Sequence, residues 1–260
     1  MKKNCVIIGC GWLGQPLGHA ISTNGFTVYG GTRNLEKISD LAQHGINGFS
    51  IQFEEKGVSL HLDSAVIANT AVLIFSIPPT GFRDYAKCLV EIASLFPTET
   101  HLVFASSTGV YLETSETINE NATCDENHAV RIAEVALLEN FKERLTILRL
   151  AGLIGVNRHP VKYFLTKSDI PNGLAPVNLI QLKDVIQAFL IVIESKLMNT
   201  FFNVCAPQHP TRMDYYGEIA KLKFGVQLYF LAEGKGKIVD GSKIVKETGF
   251  QYNTSIFELY

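Results

Sequence analysis

Residues 9–14 read GCGWLG, and no other stretch restricts the fold of this chain as much. Gly9, Gly11 and Gly14 stand in G-x-G-x-x-G spacing. A short apolar run, Asn4–Ile8, precedes them. After them Leu13, Leu17, Ala20 and Ile21 recur at helical spacing until Asn24-Gly25, a helix stop. A strand that turns on glycines into a helix opens a βαβ unit, the context this motif requires. There Gly9 permits the tight turn, Gly11 lets a pyrophosphate approach the backbone, and Gly14 lets the helix pack close to the strand. The backbone of Trp12, Leu13 and Gly14 leads into the first helical turn, whose N–H groups and dipole favour phosphate. Cys10 reads as a small loop residue.

The alternation continues. Phe26–Tyr29, Phe49–Phe53, Ala71–Ile77, His101–Ala105 and Leu145–Leu150 read as strands, the longer ones apolar throughout, as expected of strands buried on both faces. The pattern predicts a helix over Asp125–Phe141, with Val130, Ala133, Leu137 and Leu138 on one side. From about Gly152 prolines interrupt short elements, with a helix over Asp184–Ile193 and a strand over Phe201–Val204. The expected fold class is α/β, a Rossmann-type doubly wound parallel sheet with a small C-terminal substrate lobe. Residues 1–152 would form the dinucleotide-binding domain and 153–260 the lobe, some of whose elements return to the sheet.

Composition narrows the function. With 260 residues, 47% apolar and 18% charged, the chain can bury a large core. Twenty-three Lys+Arg against 25 Asp+Glu give a net charge of −2, so no basic excess points to nucleic acid. Five widely spaced cysteines without a C-x-x-C pair argue against a disulfide framework or a zinc site, and no metal is expected. The apolar run at Cys5–Ile8 is too short for a secretion signal, and no stretch approaches a membrane span. The expected location is cytoplasmic.

The second strand bears on the choice of dinucleotide. An NAD site usually carries a carboxylate about 20 residues after the fingerprint, for the ribose 2′-OH. Here the strand runs into Gly30, Gly31, Thr32, Arg33 and Asn34. Nothing at its end repels a 2′-phosphate, and Thr32 and Arg33 suit one. NADP is expected over NAD.

Later segments continue the series: SSTGVY at Ser106–Tyr111, RLAGLIG at Arg149–Gly155, NLIQLKDV at Asn178–Val185 and FNV at Phe202–Val204. With GCGWLG they resemble an atypical, extended short-chain dehydrogenase/reductase of the NAD-dependent epimerase/dehydratase type. The similarity runs over about residues 4 to 250. It is nearest to a small branch with a GxGWLG opening, described as nucleoside-diphosphate-sugar epimerases. What the resemblance implies is a Rossmann domain holding a dinucleotide, a lobe closing over a small or sugar-nucleotide substrate, and a homodimer through two helices. It places Ser107 at the family's serine position, with Thr108 beside it, and Tyr111 lining the substrate site.

The family's Tyr-x-x-x-Lys pair is absent from this chain. The segment that should carry it reads CDENHAVRIAEVALLENF, with no Tyr and no Lys. Asn127-x-x-x-Arg131 is the nearest match in spacing. Arg131 can bind the ribose or a phosphate, and His128 is an alternative acid/base. Pro78 and Pro79 end the fourth strand at the edge where ligands sit, and Arg158 in the loop after the sixth can meet an anionic substrate. Two function classes stay open: an NADP-dependent oxidoreductase or epimerase acting on a hydroxyl or keto group, and a non-catalytic NADP(H)-binding sensor or regulator. A third, an interaction protein on a vestigial Rossmann fold, fits an intact glycine loop poorly.

Overall fold

A computed structural model describes residues 3–54 and 57–258. The elements run β1 (Asn4–Ile8), α1 (Gly14–Thr23), β2 (Thr27–Thr32), α2 (Lys37–Gln43), β3 (Ile46–Glu54), β4 (Gly57–Leu60), α3 (Ser64–Ala68), β5 (Thr70–Phe75), α4 (Tyr85–Ser94) and β6 (His101–Ser107). They continue with β7 (Thr117–Ile118), α5 (Ala129–Phe141), β8 (Leu145–Leu150), β9 (Gly152–Ile154), β10 (Leu179–Gln181), α6 (Leu182–Ser195), β11 (Thr200–Val204), α7 (Arg212–Phe224), β12 (Ile238–Val239) and α8 (Ser242–Thr248).

Two compact units result. The first comprises Met1–Ser106, Glu126–Leu148 and Phe189–Phe201; the second comprises Ser107–Asp125, Arg149–Ala188 and Phe202–Tyr260. The first is organised on an eight-stranded sheet in the order β11-β8-β6-β5-β1-β2-β3-β4, and the last residues of β6, β8 and β11 are counted with the second. β1 pairs in parallel with both β2 and β5, β2 with β3, and β5 with β6; β4 pairs antiparallel with β3 at the edge. The Rossmann-type doubly wound sheet expected from the sequence is therefore present. Its strand order reverses between β1 and β5, and ligands of open α/β sheets bind beyond the carboxyl ends at such a point.

The reason lies in the strand sequences. Cys5, Val6, Ile7 and Ile8 are fully buried, as are Leu73–Phe75 and Leu102–Phe104. Strands apolar on both faces require helices on both faces, which only parallel crossovers supply. Small residues let the layers close: a Cβ on Gly18 would lie 2.7 Å from Ile46 Cδ1, and one on Gly48 2.9 Å from the Ile38 carbonyl oxygen.

The second unit contains two parallel two-stranded ladders, β10 with β9 and β12 with β7. Its aromatic core gathers Phe164, Tyr215, Tyr216, Phe230 and Phe257, with Tyr215 fully buried. The C-terminal segment is held by Asp184, whose carboxylate accepts from the Asn253 and Thr254 N–H groups and the Thr254 hydroxyl. Asp184 lies inside the first turn of α6, and its bonds go to that segment.

One helix boundary differs from the sequence pattern. α5 begins at Ala129, four residues later than Asp125, because His128 caps it: Nδ1 accepts the Val130 N–H at 3.2 Å. Asn127 therefore precedes the helix, and its four-residue spacing to Arg131 places no pair on one helical face. The buried stripe of α5 is Val130, Ala133, Glu134 and Leu137, with Glu134 instead of Leu138.

Candidate functional site

The turn after β1 is built as the glycine spacing demands. Gly9 has φ +105°, and a Cβ there would lie 2.4 Å from Ile77 Cγ2. A Cβ on Gly14 would fall 2.3 Å from the Gly9 carbonyl oxygen. These two glycines are required by the protein's own packing. Gly11 is different: a Cβ there meets nothing within 4 Å, and its φ lies outside the left-handed region. Neither backbone nor packing explains a glycine at 11, whereas the approach of a pyrophosphate does. This is the fit expected of a dinucleotide loop.

The neighbouring strands clamp the loop. The Gly9 and Cys10 N–H groups donate to the Gly31 carbonyl at 3.2 and 3.0 Å, and Ser76 Oγ donates to the Gly9 carbonyl at 2.8 Å. Gly30 leaves room for Cys10, whose Sγ would lie 2.5 Å from a Cβ there. Burial pushes the Cys10 thiol up to about 12, so it is inert at neutral pH. At the head of α1, Leu13 offers no side-chain acceptor and the first turn carries no acidic residue. The positive end of the helix thus faces the loop without a built-in anion.

At the end of β2, Thr32 is buried and its hydroxyl accepts the Asn34 N–H at 3.1 Å. Arg33 is exposed and reaches the loop after β5: its Nη1 lies 3.6 Å from where a Cβ on Gly81 would stand. That loop carries Pro78 and Pro79 and is anchored by Tyr85, whose hydroxyl donates to the Ile77 carbonyl at 2.8 Å. The glycine loop, Thr32, Arg33 and the proline loop thus come from elements that flank the switch point.

Arg131 lies in the first turn of α5. Its guanidinium is shared by two carboxylates, Glu126 at 3.2 Å and Glu134 at 3.2 Å. Glu134 is fully buried and accepts from Ser106 Oγ at 2.5 Å. Motif reading includes Ser106 only as the first residue of SSTGVY, without a role, and misses Glu134. The available signal is an acidic residue at a core position of an apolar helix stripe. His128, by capping α5 through Nδ1, carries its proton on Nε2.

In the second unit, Ser107 Oγ accepts the Gly109 N–H at 3.0 Å, and Thr108 is buried. Tyr111, placed by the resemblance at the substrate site, is 2% exposed. Its hydroxyl donates to Asn203 Oδ1 at 2.7 Å and accepts from Arg149 at 2.9 Å. Burial pushes that phenol up to about 12, against the pull of Arg149. Glu120 joins the network by accepting the Asn203 N–H, and burial raises its carboxyl. Arg158 is exposed in a tight turn, its backbone paired with Gly155. Among the described residues no group of three or more His, Cys, Asp or Glu could hold a metal, and no helix is long and apolar enough to cross a membrane.

Strand order and switch point define the class: this is a doubly wound Rossmann-type fold. Solved structures agree at low identity. MoeE5 in complex with UDP-glucose and NAD superposes with a TM-score of 0.75 at 14% identity, over 97% of this chain and 94% of that one. UDP-glucuronic acid 4-epimerase from Bacillus cereus, in complex with NAD, gives 0.72 at 16%, over 97% and 94%. No protein-family model matches the chain. Protein YeeZ of Escherichia coli K12 is 32% identical over 265 residues, 96% of each chain, and the chain belongs to its family.

Proposed function

We propose that the chain binds a nicotinamide dinucleotide, NADP in preference to NAD. In this reading it acts as an oxidoreductase or epimerase on a hydroxyl or keto group of a small or sugar-nucleotide substrate. The observation that carries it is the open space at Gly11 beside two glycines that packing already explains. Supporting it, MoeE5 is a complex with UDP-glucose and NAD, and the Bacillus cereus epimerase one with NAD.

Under this reading Gly9 and Gly11 shape the loop, and the backbone of Trp12, Leu13 and Gly14 holds the pyrophosphate with the helix dipole. Thr32 and Arg33 take the 2′-phosphate, with Pro78 and Pro79 beside it, and Arg131 takes the nicotinamide ribose. When bound, the nicotinamide supplies hydride chemistry. Ser107, with Thr108, polarises the substrate oxygen by hydrogen bonding. His128, with its proton on Nε2, is a donor in place of the missing tyrosine. Residues 153–260, apart from the elements that return to the sheet, form the substrate lobe, where Arg158 meets an anionic group. Tyr111 belongs with Arg158 to the substrate side in this reading, its hydroxyl held by Asn203 and Arg149. A homodimer belongs to the same reading.

A second reading, a sensor of NADP(H) without catalysis, is favoured by one observation: α5 has no Tyr-x-x-x-Lys pair and starts after Asn127. Calorimetric titration with NADP+, NADPH, NAD+ and NADH, alongside Arg33→Ala, tests the shared core. Micromolar binding that prefers the phosphorylated forms, and loses that preference in the variant, is expected. Binding of NAD+ and NADH alone would refute the NADP assignment, and no binding would refute both readings. Oxidation of NADPH in the presence of keto-sugar nucleotides then separates enzyme from sensor.

A further inference from the structure

Ser106, Glu134, Arg131 and Glu126 form one hydrogen-bonded chain within the first unit. Ser106 donates to Glu134 Oε1 at 2.5 Å, and Arg131 Nη1 donates to Glu134 Oε2 at 3.2 Å. Arg131 Nε spans both oxygens of Glu126 at 3.2 and 3.3 Å. Glu134 is fully buried, whereas the Arg131 side chain is 21% exposed and that of Glu126 64%. A carboxylate is rarely placed in a core, because its desolvation costs several kcal/mol and needs matched partners. Here both oxygens are matched, one by a hydroxyl at the end of a strand and one by a guanidinium nearer the surface.

The direction of α5 shows where that guanidinium stands. Just after the helix, Arg144 donates to the carbonyls of Pro97, Thr100 and Ala93, and Thr100 immediately precedes β6. The C-terminal end of α5 therefore lies at the start of β6. Glu134 meets Ser106, the last residue but one of that strand. Helix and strand run in opposite directions, so Arg131, one turn before Glu134, lies at or beyond the carboxyl edge of the sheet. That is the edge at which ligands bind.

We infer that Glu134, locked by Ser106, is the positioning residue that aims Arg131 at the nicotinamide half of the dinucleotide. The inference rests on the dinucleotide reading above. A long, flexible arginine loses rotamer freedom on binding, and fixing it beforehand lowers that cost. Glu134 touches neither cofactor nor substrate in this assignment; it acts through Arg131.

Calorimetry with two ligands tests it: NADP+, and adenosine 2′,5′-bisphosphate, which carries the 2′-phosphate end but no nicotinamide. Glu134→Gln should weaken NADP+ about tenfold and leave the half-ligand unchanged. Arg131→Ala should do the same, and the double variant should be no worse than either single one, because both act through one contact. A general loosening of the unit would weaken both ligands together. Unchanged NADP+ affinity in Glu134→Gln, equal loss of both ligands, or additive effects in the double variant would each overturn the inference. If Glu134→Gln does not fold, Ser106→Ala takes its place: it removes the lock without burying a new group, and selective weakening of NADP+ is again expected. Should the wild-type protein bind neither ligand, the dinucleotide reading itself falls. If it binds both and the variants change nothing, only the role of Glu134 is lost.

Discussion

The hydroxyl of Tyr111 donates to Asn203 Oδ1 at 2.7 Å, across 92 residues of sequence. The bond ties the GVY segment to the FNV segment, and Arg149 of RLAGLIG donates to the same phenol oxygen at 2.9 Å. Three of the motifs that carry the family resemblance thus meet in one buried hydrogen-bond network in the second unit. Asn203 also donates from Nδ2 to the Asp240 carbonyl and from its backbone to Glu120, which draws in the segment after β12.

Tyr111→Phe should therefore lower stability. It leaves Asn203 Oδ1 and an Arg149 N–H without their partner, at a cost of about 1–3 kcal/mol. Urea unfolding at neutral pH checks it. A variant as stable as the wild type would show that the network closes without the phenol.

Gly11 and Gly14 should respond in opposite ways. Gly11→Val adds a side chain where a Cβ meets nothing within 4 Å, so the melting temperature should hold while dinucleotide binding disappears. Gly14→Ala puts a Cβ 2.3 Å from the Gly9 carbonyl oxygen, and overpacking of that kind costs about 1–3 kcal/mol. Thermal unfolding and calorimetry on the pair decide it. Unchanged binding by folded Gly11→Val would refute the loop assignment.

Acid should destabilise the protein through two histidines. Burial lowers His101 to about 4 and His159 to about 4. Below about pH 6.5 the unfolded chain takes up protons that the native protein does not, so stability falls as pH drops from about 6.5 towards about 4. His101 alone contributes about 2 kcal/mol of loss between about pH 7 and 5. His101→Leu keeps the Thr146 hydroxyl on the Leu197 carbonyl and should flatten this part of the profile. Urea unfolding across that range shows whether it does.

Asp184→Asn should loosen the C-terminal segment. The carboxylate holds Asn253 and Thr254 by three hydrogen bonds, and an amide cannot accept all of them in the same geometry. Faster hydrogen exchange at residues 253 and 254 is the expected result, and unchanged protection would refute the anchoring role.

Much of the first unit is legible in the chain because its strands are buried on both faces and read as unbroken apolar runs. The glycine loop is legible because short-range constraints demand glycine there, a positive φ at Gly9 and close backbone contact at Gly14. What is not legible depends on partners distant in sequence. Asp184 looks like a helix cap until residues 253 and 254 are seen beneath it. Glu134 looks like surface on a helical pattern that Leu138 completes equally well, and the Ser106 hydroxyl and Arg131 guanidinium together explain its burial. The start of α5 is set by one capping histidine, which Asp125, Glu126 and Asn127 do not foreshadow.

The interleaving of the two units has a consequence for synthesis. The first unit needs residues 189–201, and the second already begins at residue 107. A ribosome that has released residues 1–152 has delivered β6 and β8, but not β11, the strand beside β8 at the end of the sheet. Until then the nascent protein carries an unpaired apolar edge, the kind of surface that chaperones cover and that aggregates when they do not. Neither unit can be cut out as a contiguous fragment, so expression of residues 1–152 alone should yield insoluble material.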